Sequence, residues 1–373
     1  DVPAIDPLPA VRPDTDAVAR LAELLDGAAR PVFVAGRGAR AAAGPIRTLA
    51  DRCGALLATS AVANGLFHGD PWALGISGGF SSPLAAELIQ GADLVVGWGC
   101  ALNDWTTRHG KLIGPAARIA QIDTEPAALG AYRPIDHAVL GDAGTTATDV
   151  LAAVSSRPGY RTEQLKARIA DRIRWSARDY QDISTATTID PRTLSARLDE
   201  LLPTERVVSV DSGNFMGYPS AYLAVPDEYG YCLTQGFQAI GLGLATAIGA
   251  ALAQPDRLPV AALGDGGFHM GVADLETVAR LRLPMVVVVY NDNAYGAEIH
   301  HFDGDMTTVR FPDTDIAAIA HGFGCAGVTV RTEDDLTGVK DWLGGDRATP
   351  LVIDAKIAND GGSWWLAEAF RAH

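Results

Sequence analysis

Six residues, Met285-Val286-Val287-Val288-Val289-Tyr290, constrain the fold more than any other segment of the chain. Four consecutive β-branched side chains favour extended backbone, and nothing in the run alternates between apolar and polar. Such a strand has no face to turn to water. It belongs inside a parallel sheet covered by helices on both sides. Pro259-Val260-Ala261-Ala262-Leu263 is a second apolar run of strand length. Between the two, from Gly271 to Leu281, Val272, Leu275, Val278 and Ala279 recur at helical spacing. Strand, helix and strand in that order make one parallel crossover unit.

The alternation recurs along the chain. Pro31–Ala35, Leu56–Thr59, Asp93–Gly97 and Arg118–Asp123 read as strands, with helices over Thr15–Leu25 (capped by Asp14 or Thr15), Gly44–Cys53 and Pro83–Gln90. Val207–Val210 and Leu351–Ile353 add strands to the second half. The expected fold is α/β, with two doubly wound parallel-sheet domains. Residues 1–14, with four prolines, read as a linker. Residues 15–155 form a central domain and 190–373 a second one. The polar stretch 156–189 reads as a connecting helix, with Leu165, Ile169 and Ile173 at helical spacing. Gly36-Arg37-Gly38 opens like a dinucleotide fingerprint but lacks the third glycine, so a packing turn is the better reading.

Composition excludes several partners. A formal net charge of −15 leaves no excess of basic groups to meet phosphates, so nucleic acid is not expected. No apolar run approaches the length of a membrane span, and no signal peptide opens the chain. Cys53, Cys100, Cys232 and Cys325 are scattered without metal-ligand spacing and read as reduced thiols of a cytoplasmic protein.

Chemistry concentrates where the two apolar strands of the second domain end. Gly264-Asp265-Gly266 follows one strand and Asn291-Asp292-Asn293 follows the other, with 24 residues between the two triplets. Open parallel sheets bind ligands at the carboxyl ends of their strands. Asp265 and Asp292 offer two carboxylates, and the glycines let main-chain amides approach phosphate oxygens. Magnesium takes oxygen ligands, commonly one or two protein carboxylates together with phosphates. The arrangement reads as a clamp for a magnesium ion and the diphosphate of a cofactor.

These motifs resemble those of thiamine-diphosphate-dependent enzymes of the acetolactate synthase-like and 2-oxo acid decarboxylase superfamily. The segment Gln235–Ala250 is similar to that family's glycine-rich helix start, and Val208–Asn214 to its diphosphate-side loop. Pro31–Gly38, Thr59, Gly65, Gly75 and Ile122-Asp123 with Pro126 resemble its central domain. The resemblance implies magnesium on Asp265, Asp292 and the carbonyl of Ala294. Gly213, Asn214, Gly264, Gly266 and Gly267 would face the diphosphate. Ile240 would prop the cofactor into its bent form, and the carbonyl of Gln238 would accept from the pyrimidine's amino group. Glu298 stands where some decarboxylases of the family place an active-site glutamate, and His300 and His301 would line the substrate pocket.

Some positions depart from the family pattern. Asp292 replaces a usual asparagine, and Asn214 and Phe215 stand where glutamine and histidine are frequent. Trp364 and Trp365 read as packing for the C-terminal tail. Family enzymes also carry a first domain that binds the pyrimidine ring and supplies an activating glutamate, and this chain opens on the linker that would follow it. The resemblance therefore implies one of two origins: the large subunit of a split enzyme, whose pyrimidine-binding domain is a separate subunit of a heterotetramer, or an enzyme cut at that junction. The split enzyme is favoured. The expected activity is carboligation on a small 2-oxo acid such as pyruvate. The alternatives are simple decarboxylation and a non-catalytic, cofactor-binding regulatory subunit.

Overall fold

The computed structural model describes residues 9–234 and 239–369. Two compact units divide between Ile173 and Arg174. In the first, six strands form one sheet: β1 (Pro31–Ala35), β2 (Leu56–Thr59), β3 (Ala73–Ile76), β4 (Leu94–Trp98), β5 (Arg118–Asp123) and β6 (His137–Leu140). Their order is β3-β2-β1-β4-β5-β6, and every pair is parallel. Both faces are covered. Helices Thr15–Gly27, Ala43–Cys53 and Ala143–Ala153 bury leucines, isoleucine and valine against one face, while Pro83–Gln90 and Glu163–Arg172 contribute to the core on the other. Asp14 caps the first helix by accepting the N–H groups of Asp16 and Ala17.

One expectation for this region changes and one holds. The stretch 156–189 is not a single connecting helix. Helix runs only over Glu163–Arg172, and Ile169 is buried in the core of the first unit. One apolar stripe was enough to dock that helix on the sheet, and the polar residues beyond it continue as a short turn and extended chain. The glycine turn after β1 is a packing device: a methyl group on Gly36 would overlap the Gly99 carbonyl, and the Gly38 N–H donates to that same carbonyl at 3.1 Å.

The second unit repeats the design with another connectivity. Its strands are β7 (Arg206–Val210), β8 (Tyr231–Leu233), β9 (Leu258–Gly264), β10 (Val286–Asn291), β11 (Ala326–Val330) and β12 (Leu351–Lys356), in the order β11-β12-β10-β9-β7-β8, all parallel. The valine-rich run is β10, buried at every position between β9 and β12. Burying each such side chain stabilises the fold by about 1.5–3 kcal/mol. The chain leaves β7 toward β8 on one side, returns through helix Gly243–Ala253 to β9, and continues toward β10 on the other side. The connections after β7 and β9 thus depart in opposite directions, which opens a crevice at the carboxyl edge. The helix expected over 271–281 starts earlier. It begins at Asp265 and runs to Gly271, with a turn at Val272–Asp274 and a second helical piece over Leu275–Arg280.

Candidate functional site

The crevice is a cleft of about 370 Å³, counting its open mouth, walled by the ends of β7, β9 and β10. The two carboxylates predicted from the sequence meet there. Asp265 is 2 % exposed, and its Oδ2 accepts the Ala294 N–H at 3.0 Å, tying the turn after β9 to the turn after β10. Asp292 stands close enough for its charge to act on Asp265. Burial pushes both carboxyls up, and the charge of Asp292 adds to the rise on Asp265. Gly296 lets the chain pass Asp292: a methyl group there would lie 2.5 Å from Asp292 Oδ2. Among the described residues nothing donates to the Ala294 carbonyl, so that oxygen remains for a cation.

Asn291 takes a different part. Its side-chain nitrogen donates to Asp354 Oδ1 at 2.8 Å and its oxygen accepts the Asn293 N–H at 3.1 Å. Asn293 turns the chain through φ +59°, a conformation asparagine tolerates. Lys356 backs Asp354 at 3.2 Å and Asp313 at 2.6 Å. The two residues where β10 ends thus divide their work, with Asn291 shaping the turn and Asp292 facing the clamp.

The diphosphate side is built largely from glycine. Gly213 sits at φ +150°. A methyl group on Gly266 would overlap the Tyr295 ring, and one on Gly267 would lie 2.5 Å from Asp211 Oδ2. Gly264 and Ile240 also line the cleft. Asn214 lines it too, but its oxygen is already engaged by Ser363. Phe215 is apolar floor, stacked on Tyr290 at 5.3 Å. Glu298 reaches the cleft, whereas His300 and His301, in the last turn of helix Gly296–His301, are not among its lining residues. His300 lies instead against Gly362, and burial first, then His301, holds its imidazole below the usual range. Gln238 lies outside the described residues.

Asp211 was not singled out by its sequence. It has no exposed surface, and its carboxylate accepts the Ser212 N–H at 2.8 Å and the Gly241 N–H at 2.9 Å. It thereby anchors the turn that carries Ile240. The available signal was an acidic residue directly after a buried strand.

The donor set fits a divalent cation. No lysine, arginine or histidine appears among the described residues lining the cleft, while Asp265, Asp292 and Glu298 do. An anionic tail would be repelled unless a cation stood between, and carboxylate and carbonyl oxygens are the ligands magnesium prefers.

Residues 211–355 match the family described as "Thiamine pyrophosphate enzyme, C-terminal TPP binding domain", and residues 18–150 the family described as "Thiamine pyrophosphate enzyme, central domain". The chain is 30% identical over 360 residues to a sulfoacetaldehyde acetyltransferase of Rhodobacter capsulatus, covering 88% of this chain and 61% of that protein. It is 27% identical to an acetolactate synthase large subunit of Parasynechococcus marenigrum, covering 91% of this chain and 56% of that protein. A solved structure of similar fold is the thiamine diphosphate-dependent 4-hydroxybenzoylformate decarboxylase of Rhodococcus jostii RHA1, with a TM-score of 0.74 at 22% identity, over 96% of this chain and 67% of that one.

Proposed function

The chain belongs to the thiamine-diphosphate-dependent enzymes, and from that premise we propose that it is the large subunit of a carboligase acting on a small 2-oxo acid such as pyruvate. The observation that carries the proposal is the opposed pair Asp265 and Asp292, braced by the Ala294 N–H, at the tips of two adjacent central strands. These two carboxylates and the Ala294 carbonyl would hold Mg²⁺. Gly213, Asn214, Gly266 and Gly267 would face the diphosphate, and Ile240 would support the cofactor between its rings. When bound, thiamine diphosphate supplies a carbon nucleophile for a substrate carbonyl. Glu298 would face the substrate in the cleft. Carboligation is preferred because the sequence relatives compared above include an acetolactate synthase large subunit and an acetyltransferase. The position of Glu298 favours simple decarboxylation as the second reading, since a carboxyl there would protonate a released product.

The chain spans 56–61% of the length of those relatives. We propose that a pyrimidine-binding domain, on a partner subunit of a heterotetramer or elsewhere in the same protein, completes the cleft. Exposed Leu242, which precedes helix Gly243–Ala253, and Met270, which packs against Gly241 beside the cleft, support a partner surface. Among the described residues no helix is long and apolar enough to cross a membrane, and four free cysteines support a reducing, cytoplasmic setting.

Calorimetry with Mg²⁺ and thiamine diphosphate, together with pyruvate turnover, tests this reading. The 373-residue chain should bind the cofactor's diphosphate end and turn over almost nothing until a pyrimidine-binding chain is added. Full turnover by the chain alone would refute the split, and absence of Mg²⁺-dependent binding would refute the site.

A further inference from the structure

The clamp and glycines leave one donor of the diphosphate side unexplained. Asn214 follows β7, is 7 % exposed and lines the cleft. Two donors from Ser363 converge on its side-chain oxygen: the main-chain N–H at 3.1 Å and the hydroxyl at 2.7 Å. A third bond, from the Trp365 indole N–H to the Asn214 carbonyl at 3.1 Å, fixes the backbone of the same residue. The Trp365 ring lies so close to Gly217 that a methyl group there would sit 2.5 Å from it, and it meets Tyr218 edge to face at 5.0 Å.

A main-chain N–H can only donate. The Asn214 atom that meets the Ser363 N–H must therefore be the amide oxygen, which fixes the orientation of an otherwise ambiguous side chain. With the oxygen held from behind, the two N–H donors of the amide are left for the cleft; the amide nitrogen makes no hydrogen bond to the described residues. In a cleft with no lysine, arginine or histidine among its described lining residues, an oriented amide is a neutral donor for a phosphate oxygen.

We propose that Ser363 is a positioning residue of the diphosphate site, locking Asn214 so that its amide nitrogen, and not its oxygen, faces the cofactor's phosphates. The inference rests on the reading of the cleft as a thiamine-diphosphate site. Without the hydroxyl, one of the two donors that hold the oxygen is gone, and the amide can turn its oxygen toward the anion.

Calorimetry on the 373-residue chain with Mg²⁺ and thiamine diphosphate separates the possibilities. Ser363→Ala is expected to weaken binding about 3- to 10-fold, the range of one hydrogen bond, and Ser363→Thr, which keeps the hydroxyl, to restore it. Asn214→Asp should weaken it further, because the second carboxylate oxygen would face the phosphates. In Asn214→Ala, adding Ser363→Ala should cause no further loss, since the two residues act as one unit. A purely structural Ser363 would add its loss in that background, which would overturn the proposal. So would a Ser363→Ala chain that binds as the wild type does. If the wild-type chain itself shows no Mg²⁺-dependent binding, the reading of the site falls and takes this inference with it.

Discussion

Replacing Asp211 by alanine should loosen the cleft from behind. Two main-chain N–H groups, of Ser212 and Gly241, donate to this one carboxylate at 2.8 and 2.9 Å. Burial pushes its carboxyl up in spite of them. A buried donor left without an acceptor costs about 1–3 kcal/mol. The space vacated by the side chain admits about one water, which can serve one of the two. The donor left unmet sets a loss of about 1–3 kcal/mol in the stability of the second unit. Asp211→Asn keeps the shape and one oxygen and should lose about half as much. The Ile240-Gly241 turn would also be freed, and re-ordering one residue costs about 1–2 kcal/mol, so cofactor affinity should fall about 5- to 30-fold. Urea unfolding followed by tryptophan fluorescence, with calorimetry alongside, measures both. An Asp211→Ala chain with the wild-type midpoint and affinity would show the carboxylate to be a passive core group.

Other perturbations carry different signs. Asp265→Asn keeps an oxygen for the Ala294 N–H but removes one of two facing carboxylates; the metal-free protein should gain stability while Mg²⁺-dependent stabilisation disappears, as thermal unfolding with and without Mg²⁺ would register. Because the fold raises the Asp265 carboxyl, the contribution of Asp265 to stability is greatest at low pH and falls as pH climbs from the ordinary carboxylate range to the raised folded value, by about 1.4 kcal/mol for each pH unit crossed. Metal-free wild type should therefore lose more stability between about pH 5 and 9 than Asp265→Asn, in unfolding curves recorded across that range. Gly266→Ala must displace the Tyr295 ring, which packs on Phe311 at 4.8 Å, and should destabilise by about 1–3 kcal/mol while lowering cofactor affinity, read by thermal unfolding and calorimetry. The Arg257 hydrogen bond, the largest cause, holds the Asp227 carboxyl below its usual range, so the pair stabilises above about pH 4 and fades as pH falls through the folded value; in acid titrations of stability, Asp227→Asn should differ from wild type by about 0.5–1 kcal/mol near neutrality and by nothing near pH 2.

The strands that announced themselves in the sequence are the interior ones. Val286–Val289, Val32–Val34 and Val207-Val208 are buried on both faces, so they read as unbroken apolar runs. The four strands without such a signal, Ala73–Ile76, His137–Leu140, Tyr231–Leu233 and Ala326–Val330, are the four edges of the two sheets. An edge strand is short and partly exposed, and its pairing depends on a neighbour the local sequence does not reveal. The site divides in the same way. Asp265, Asp292 and the glycines follow strand ends and were legible from local pattern. The engagement of Asn214 by Ser363, the burial of Asp211 under the Ile240 turn, and the placing of His300 against Gly362 depend on contacts distant in sequence.

One of those contacts spans 149 positions, from Asn214 to Ser363. Nearly the whole second sheet must be threaded before that clasp can close, so the loop after β7 is among the last pieces of this unit to acquire its final shape. A spectroscopic label on that loop would register maturation of the domain rather than its initial collapse. During synthesis, the pocket would stay unfinished long after its own acidic residues had emerged.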